Sequence, residues 1–198
     1  MLKIENLTKK FGARTVIENL TLTLPENGIY TLSGPSGCGK TTLLHLICGA
    51  LTPSAGSITH DFEKISVSFQ EPRLVPWLSV EENLGLVLPK NAWNPKAADE
   101  VLAALDLENE RHARPDTLSG GMQQRAALAR AILHGGDLLL LDEPFSAQDE
   151  TTKTRVLDLV RRTSKNKLTL IVTHDDTDAA RLGATPLACH GTPLCEIK

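Results

Sequence analysis

The sequence predicts an α/β protein in which a mostly parallel sheet is joined by an N-terminal antiparallel β subdomain and an inserted helical subdomain. Four successive leucines at 138–141 indicate the parallel sheet, because a strand without alternation is typically covered by helices on both faces. Alternating apolar and polar residues at 2–7 and 15–24 indicate the antiparallel part. Prolines interrupt short helical patterns between 71 and 117, which indicates the insertion. We expect one domain over 1–198, with its core in 1–70 and 118–198 and the helical subdomain at about 71–117.

A turn at 25–28 follows the two alternating strands and leads to a third strand at 28–33. This strand enters a loop that fits G-x-x-x-x-G-K-[ST] and precedes an apolar run at 43–47, where a helix is expected. The residues of the loop and helix start are Gly34, Pro35, Ser36, Gly37, Cys38, Gly39, Lys40, Thr41 and Thr42.

This loop has the chemistry of a phosphate cradle. Its glycines allow backbone N–H groups to point inward at the positive end of the following helix. Lys40 would add a charge at the β- and γ-phosphates of a nucleotide, and the Thr41 hydroxyl would be a ligand of Mg²⁺. A glycine-rich turn before a helix is the alternative, but it leaves the Lys-Thr pair unexplained. We therefore expect a P-loop NTPase core.

The later elements follow from local signals. Strands are expected at 57–59 and 64–69. In the insertion, Ser79 and Glu82 form a capping box for a helix to about Leu88, and Asn94-Pro95 caps a helix to about Leu107. Beyond it we expect helices at 122–133, 151–163 and 176–182, and strands at 138–141, 168–172 and near Leu187.

Four polar residues follow predicted strands, at the edge where parallel sheets bind ligands: Gln70, Asp142, Glu143 and His174. Asp142 would hold Mg²⁺ through water, and Glu143 would orient or deprotonate an attacking water, an action worth ~10² to 10⁴ in rate. Gln70 would reach Mg²⁺ or that water, and His174 would contact the γ-phosphate. Taken alone, Asp-Glu-Pro is also typical of a strand end before a turn, and a single histidine is also typical of a structural residue.

The segment 118–125, Leu-Ser-Gly-Gly-Met-Gln-Gln-Arg, predicts a second anion site. The Ser119 hydroxyl and the bare N–H groups of Gly120 and Gly121 would lie at a helix N-terminus, which carries roughly half a positive charge. A serine cap with glycines easing the helix start is the alternative, and it explains Ser119 but not two successive glycines.

Composition limits the class of protein. The 198 residues carry a net charge of -3, which gives no electrostatic reason to expect a nucleic-acid partner. No apolar stretch approaches the ~18 to 20 residues of a membrane span, so we expect a soluble chain and a membrane crossing, if any, in another chain. The four cysteines lack zinc spacing and are expected to be reduced thiols of a cytosolic protein.

Together these motifs resemble those of the nucleotide-binding subunits of ABC transporters. In the family's order they are Phe11 as an adenine-stacking aromatic, 34–42 as Walker A, Gln70 as the Q-loop, 118–125 as the signature, 138–143 as Walker B, 146–149 as the D-loop and His174 as the switch histidine. The resemblance implies an ATPase that uses ATP and Mg²⁺. Phe11 replaces a common tyrosine, and Gln148 replaces the usual leucine of the D-loop.

The resemblance also implies partners. Two copies, or this chain and a related ATPase chain, would pack head to tail, with each ATP between the Walker A of one chain and Ser119, Gly120 and Gly121 of the other. Segment 70–80 is similar to the Q-loop region of nitrate, sulfonate and taurine importer ATPases, where an integral-membrane permease docks. Trp77 and its apolar neighbours would form this groove, or Trp77 would be buried in the helical subdomain.

The function implied is therefore solute import, in a complex with a permease and a solute-binding protein, at the cytoplasmic face of the inner (plasma) membrane. A non-transport ABC-type ATPase in a cell-envelope, DNA or ribosome complex is the alternative. A P-loop kinase would leave the signature and His174 without a role.

Overall fold

The computed structural model describes residues 1–89, 91–146 and 148–198. The strands are β1 (Leu2–Phe11), β2 (Arg14–Leu24), β3 (Gly28–Ser33), β4 (Ala55–His60), β5 (Ile65–Ser68), β6 (Leu138–Asp142), β7 (Leu168–Val172), β8 (Thr185–His190) and β9 (Glu196–Ile197). The helices are α1 (Lys40–Ile47), α2 (Val80–Gly85), α3 (Pro95–Ala104), α4 (Gly120–His134), α5 (Glu150–Thr163) and α6 (Asp176–Leu182), with a 3-10 turn at Pro115–Thr117.

The larger sheet has six strands in the order β5-β6-β7-β3-β8-β9. Its pairs are parallel except that between β8 and β9, which is antiparallel. All residues of β6 and β7 are buried, as the run of leucines predicts for central strands covered on both faces. The carboxyl ends of β3, β5, β6 and β7 therefore meet at one edge of the sheet.

The smaller sheet is antiparallel, in the order β2-β1-β4. With the larger sheet it confirms the predicted fold class. The alternating patterns at 2–7 and 15–24 leave Phe11 in a loop between the first two strands, and this prediction was wrong: Phe11 is the last residue of β1 and pairs with Arg14. The strands extend this far because a two-residue turn, Gly12-Ala13, connects them directly.

The apolar core lies on both faces of the larger sheet. Leu138 and Leu140 pack with α1 and the smaller sheet, whereas Leu139 and Leu141 pack with the helices of the other face. Successive side chains of β6 thus enter opposite layers, and both layers are apolar. Across the described residues, no helix combines the length and hydropathy needed to cross a bilayer.

The helices of the insertion begin at the predicted caps but end early. Ser79 and Glu82 form the capping box of α2. This helix ends at Gly85 and not near Leu88, since Pro89 disfavours a helical conformation at the residue before it. The next helix, α3, ends at Ala104 and not near Leu107, where Asp106 adopts a φ of 56°. The division into a core and an insertion at 71–117 stays a prediction, and α2 and α3 pack against α4 in one apolar cluster.

Candidate nucleotide-binding and catalytic site

The glycine-rich loop lies between β3 and α1, and two of its glycines are required by close backbone contacts. Gly34 has a φ of 148°, and a Cβ there would lie 2.9 Å from the carbonyl oxygen of Cys189 on β8. Gly39 has a φ of 120°, and a Cβ there would lie 3.1 Å from the carbonyl oxygen of Val16 on β2. Glycine at these positions lets the loop pass tightly between its neighbours.

Lys40 is the first residue of α1, and its side chain folds back over the loop. The ammonium group donates hydrogen bonds to the carbonyl oxygens of Gly34 at 2.8 Å and Pro35 at 3.0 Å. The thiol of Cys38 is buried beside it, with Sγ 3.9 Å from Lys40 Nζ. Cys38 is therefore covered by the protein itself, which fits a small residue tolerated inside the loop.

A cavity of about 630 Å³ opens over this loop. It brings together three groups of residues: the hairpin of β1 and β2, the loop with the start of α1, and the strand ends. Its lining residues are Phe11, Arg14, Val16, Ser36, Gly37, Gly39, Lys40, Thr41, Thr42, Gln70, Glu143, Val172 and His174. Among the predicted site residues, Gly34, Pro35, Cys38, Asp142, Ser119, Gly120 and Gly121 do not line it.

Asp142 ends β6 beneath the cavity and is 1% exposed. Neither carboxylate oxygen has a hydrogen-bond partner among the described residues. Burial raises the pKa of this carboxyl group. The charge of Glu143 adds to the rise in pKa, and the nearby Thr41 hydroxyl opposes it without forming a hydrogen bond with Asp142.

A buried carboxylate without a partner beside a hydroxyl fits a magnesium ion, which prefers oxygen ligands. In the described parts of the chain, no group of three His, Cys, Asp or Glu side chains could hold a metal ion. This agrees with Mg²⁺ in nucleotide sites, which is bound by one or two protein oxygens together with the phosphates and water. The residues present therefore fit the ion.

Glu143 follows Asp142 and lies against His174. Glu143 Oε1 is 2.8 Å from His174 Nε2. The Glu143 backbone has a φ of 50°, which is unusual for a residue with a side chain. Its N–H donates to the carbonyl oxygen of Val172 at 2.9 Å, and its carbonyl oxygen accepts from the Ser146 hydroxyl at 2.9 Å. These bonds hold a strained residue with its carboxylate at the cavity, and such strain is concentrated at functional sites.

The signature segment lies elsewhere on the surface. Ser119 is the N-cap of α4, and its hydroxyl accepts a hydrogen bond from the Met122 N–H at 3.3 Å. Ser119 and Gly120 are exposed. The predicted second anion site therefore lies at the protein surface, and it is not part of the cavity of its own chain.

The D-loop, 146–149, leads into α5. Asp149 caps this helix by accepting hydrogen bonds from the N–H groups of Thr151 and Thr152, each at 3.0 Å. Gln148, the unusual residue of this loop, donates to the carbonyl oxygen of Pro144 at 2.9 Å. Ala147 lies outside the described residues.

Three lining residues were not predicted from the sequence: Arg14, Val16 and Val172. Arg14 had a usable signal, since residues on either side of a two-residue hairpin turn lie opposite each other. Phe11 and Arg14 therefore line the same end of the hairpin at the cavity. Val172 had no such signal, because it is one of several apolar residues in a buried strand.

Comparison with known proteins gives a consistent picture. Residues 17–146 match the family model described as ABC transporter. An aliphatic sulfonates import ATP-binding protein of Burkholderia cenocepacia is 39% identical, covering 92% of this chain and 71% of its own length. An Fe(3+) ions import ATP-binding protein of Escherichia coli K12 is 38% identical, covering 98% of this chain and 61% of its own length.

A solved structure with the same fold is the ATP-binding cassette MJ0796 in a dimeric, post-hydrolysis state bound to ADP and phosphate. It is 28% identical, with a TM-score of 0.88, and the match covers 100% of this chain and 98% of that cassette. A second dimeric structure of the same cassette gives a TM-score of 0.89 at 27% identity.

Proposed function

The chain belongs to the ABC transporter family as an ATP-binding cassette ATPase, and we propose that it drives solute import through a separate integral-membrane permease. One observation carries the catalytic part of this proposal. Gln70, Glu143 and His174, which come from three strand ends, line the same cavity as the phosphate-binding loop. A nucleotide in the loop would therefore have its terminal phosphate beside these three side chains.

The binding step uses the loop and the hairpin. Phe11 lines the cavity and is 48% exposed, with Lys9 Nζ 4.9 Å from the centre of its ring, and we infer that adenine would stack on this ring. The Lys40 ammonium group donates hydrogen bonds to two loop carbonyl oxygens, and it would exchange these contacts for phosphate oxygens when a nucleotide binds. The loop N–H groups and the positive end of α1 would bind the remaining phosphate charge.

The hydrolytic step uses the pair at the strand ends. Glu143 would accept a proton from the attacking water, and His174 would keep the carboxylate oriented and contact the γ-phosphate. Gln70 would position the same water. Thr41, Gln70 and Asp142 would hold Mg²⁺, which supplies positive charge to the phosphates.

The active unit is proposed to be a dimer of this chain, or of this chain with a related ATPase chain. The supporting observation is that Ser119, Gly120 and Gly121 do not line the cavity of their own chain. A second copy could bring them to the nucleotide, where the N–H groups would bind phosphate. The similar cassette MJ0796 is dimeric in the two structures above.

The permease is proposed to dock on the helical subdomain near Trp77. This residue is 71% exposed, so the alternative that it is buried in the subdomain is wrong. Tryptophan is enriched among the few residues that carry most of the binding energy at protein interfaces. The solute is proposed to be of the nitrate, sulfonate and taurine class, supported by the Q-loop segment and by the sulfonate importers among the relatives. The complex would include a solute-binding protein, and this chain would be peripheral at the cytoplasmic face of the plasma membrane.

Affinity purification of the tagged protein from gently solubilised native membranes tests the proposal. We expect a polytopic permease to be recovered with the wild type and with Trp77→Phe, but not with Trp77→Ser, while all three retain ATPase activity. Recovery of only soluble partners or nucleic acid would contradict import and would favour a non-transport role in an envelope, DNA or ribosome complex.

A further inference from the structure

A largely buried lysine lies next to the Glu143–His174 pair, at the same small cavity. Lys153 is on α5, and its side chain is only 12% exposed. Its ammonium group donates a hydrogen bond to Asp175 Oδ2 at 2.5 Å and lies 2.7 Å from Asp178 Oδ1. The contact with Asp178 is a close ion pair and not a well-aligned hydrogen bond. Removing a lysine ammonium group from water is unfavourable, so the interactions with the two carboxylates must offset the desolvation free energy.

The lysine holds both ends of the short segment 173–178. The Thr173 hydroxyl donates to Asp178 Oδ2 at 2.6 Å, and the Asp175 N–H donates to Thr173 Oγ1 at 3.2 Å. His174 lies between these anchored residues. Lys153 therefore contacts Asp175, the residue after His174. It also contacts Asp178, whose carboxylate accepts the hydrogen bond from Thr173, the residue before His174.

The arrangement joins the histidine to the helix that follows the D-loop. Asp149 caps α5, and Lys153 lies about one turn further along the same helix. A small cavity of about 110 Å³ is bounded by Lys153, Asp178, His174 and Glu143, so the cluster and the pair share one space. Burial alone would lower the pKa of Lys153, but Asp175 and Asp178 outweigh it and raise that pKa, which keeps the ammonium charged.

We propose that Lys153 is a positioning residue, which fixes the segment 173–178 against α5 and thereby holds His174 on Glu143. The inference rests on the proposed roles of His174 and Glu143 in hydrolysis. It also identifies how a shift of α5 would reach the site: movement of Lys153 would draw Asp175, and His174 with it, relative to Glu143.

Arg181 offers a matched control. It also connects α5 and α6, through Glu150 at 2.6 Å and the Thr154 hydroxyl at 2.6 Å, but among the described residues its side chain forms no hydrogen bond or ion pair with residues 173–178. A purely structural role in joining the two helices would be shared by Arg181 and Lys153. A positioning role belongs to Lys153 alone.

The test is a kinetic comparison of purified variants by release of radiolabelled phosphate. We expect Lys153→Met to lower kcat about tenfold, within the range of couplings in one polar network, and to leave the KM for ATP nearly unchanged. Lys153→Arg should restore most of the lost kcat, and Arg181→Met should retain the wild-type value. In a His174→Ala background, Lys153→Met should cause no further loss, because the residue that it positions is absent.

An equal loss of kcat with and without His174, or an equal loss in Arg181→Met, would overturn the positioning role while leaving the proposed function intact. If His174→Ala itself keeps the wild-type kcat, both the proposed role of His174 in hydrolysis and the positioning role of Lys153 are wrong. Should Lys153→Met not fold, Asp175→Asn carries the same test. Asparagine keeps the oxygen that accepts from the Thr177 N–H at 2.9 Å, but it loses the charge that Lys153 contacts.

Discussion

Replacing Asp142 with asparagine should stabilise the nucleotide-free protein and at the same time remove its response to Mg²⁺. The wild-type carboxylate is 1% exposed, and neither oxygen has a hydrogen-bond partner among the described residues. Such a group costs folding free energy unless a cation is bound. Asparagine has the same shape but carries no charge.

The magnitude follows from the cost of an unsatisfied buried group, which is about 1–3 kcal/mol and larger when the group is charged. Asparagine leaves its amide unsatisfied, so we expect a net gain of about 1–2 kcal/mol in the free energy of unfolding. At about 2–4 °C per kcal/mol for a chain of this size, Tm should rise by about 2–8 °C. Mg²⁺-ATP at 100 times its Kd would stabilise the wild type by about 2.7 kcal/mol, and it should stabilise the variant much less.

Differential scanning calorimetry with and without Mg²⁺-ATP measures both effects. The order of stability should reverse: Asp142→Asn melts above the wild type without ligand and below it with ligand. Asp137→Asn is the control, because Asp137 lies exposed before the other end of β6 and should not change the response. A variant that is less stable than the wild type without ligand, or that gains equally from Mg²⁺-ATP, would refute the reasoning.

Three further predictions concern the nucleotide, the dimer and acid stability. Phe11→Ala should weaken ATP binding about fivefold to 150-fold in a fluorescent-nucleotide titration, since stacking on a base is worth about 1–3 kcal/mol, whereas Phe11→Tyr should bind normally. Ser119→Arg should lower the ATPase rate by about 10² or more without changing ATP affinity, because Ser119 is outside the cavity of its own chain; weakened binding would contradict this. The hydrogen bond from Lys153 lowers the pKa of Asp175 in the folded protein. The ionised Asp175 carboxylate therefore adds to the free energy of unfolding above about pH 4, and this contribution is lost as the pH falls through the lowered pKa. Asp175→Asn should therefore lose less Tm than the wild type on acidification, and an unchanged slope would contradict the contribution.

Elements whose ends are encoded by adjacent residues could be predicted from the sequence. Helix α6 spans the predicted Asp176–Leu182, because Asp175 caps its start and Gly183 adopts a left-handed φ of 65° after its end. The phosphate-binding loop is equally local, since its glycines and Lys40 are contiguous. The strand-end residues Glu143 and His174 were placed together because parallel strands end at one edge.

Other features depend on register and on distant contacts. The turn at Gly12-Ala13 is a signal that pairing continues to Phe11, but the alternating pattern of the first strand ends at residue 7, and so the place of Phe11 was missed. Pro89 indicated that α2 would end early, but the prediction followed the apolar pattern as far as Leu88. Nothing in the sequence distinguishes Lys153 from the other lysines. Only the fold brings it to the carboxylates of Asp175 and Asp178, which lie far along the chain.

The solution mass of Glu143→Gln in saturating Mg²⁺-ATP is the most direct test of the central claim, that the active unit is a dimer with ATP bound between two copies. Glutamine keeps the shape of the side chain but cannot act as a base, so ATP should persist. By light scattering after size exclusion, we predict a stable dimer with ATP, a monomer without it, and a monomer for the same variant carrying Ser119→Arg. A Glu143→Gln protein that binds ATP and stays monomeric would contradict the account.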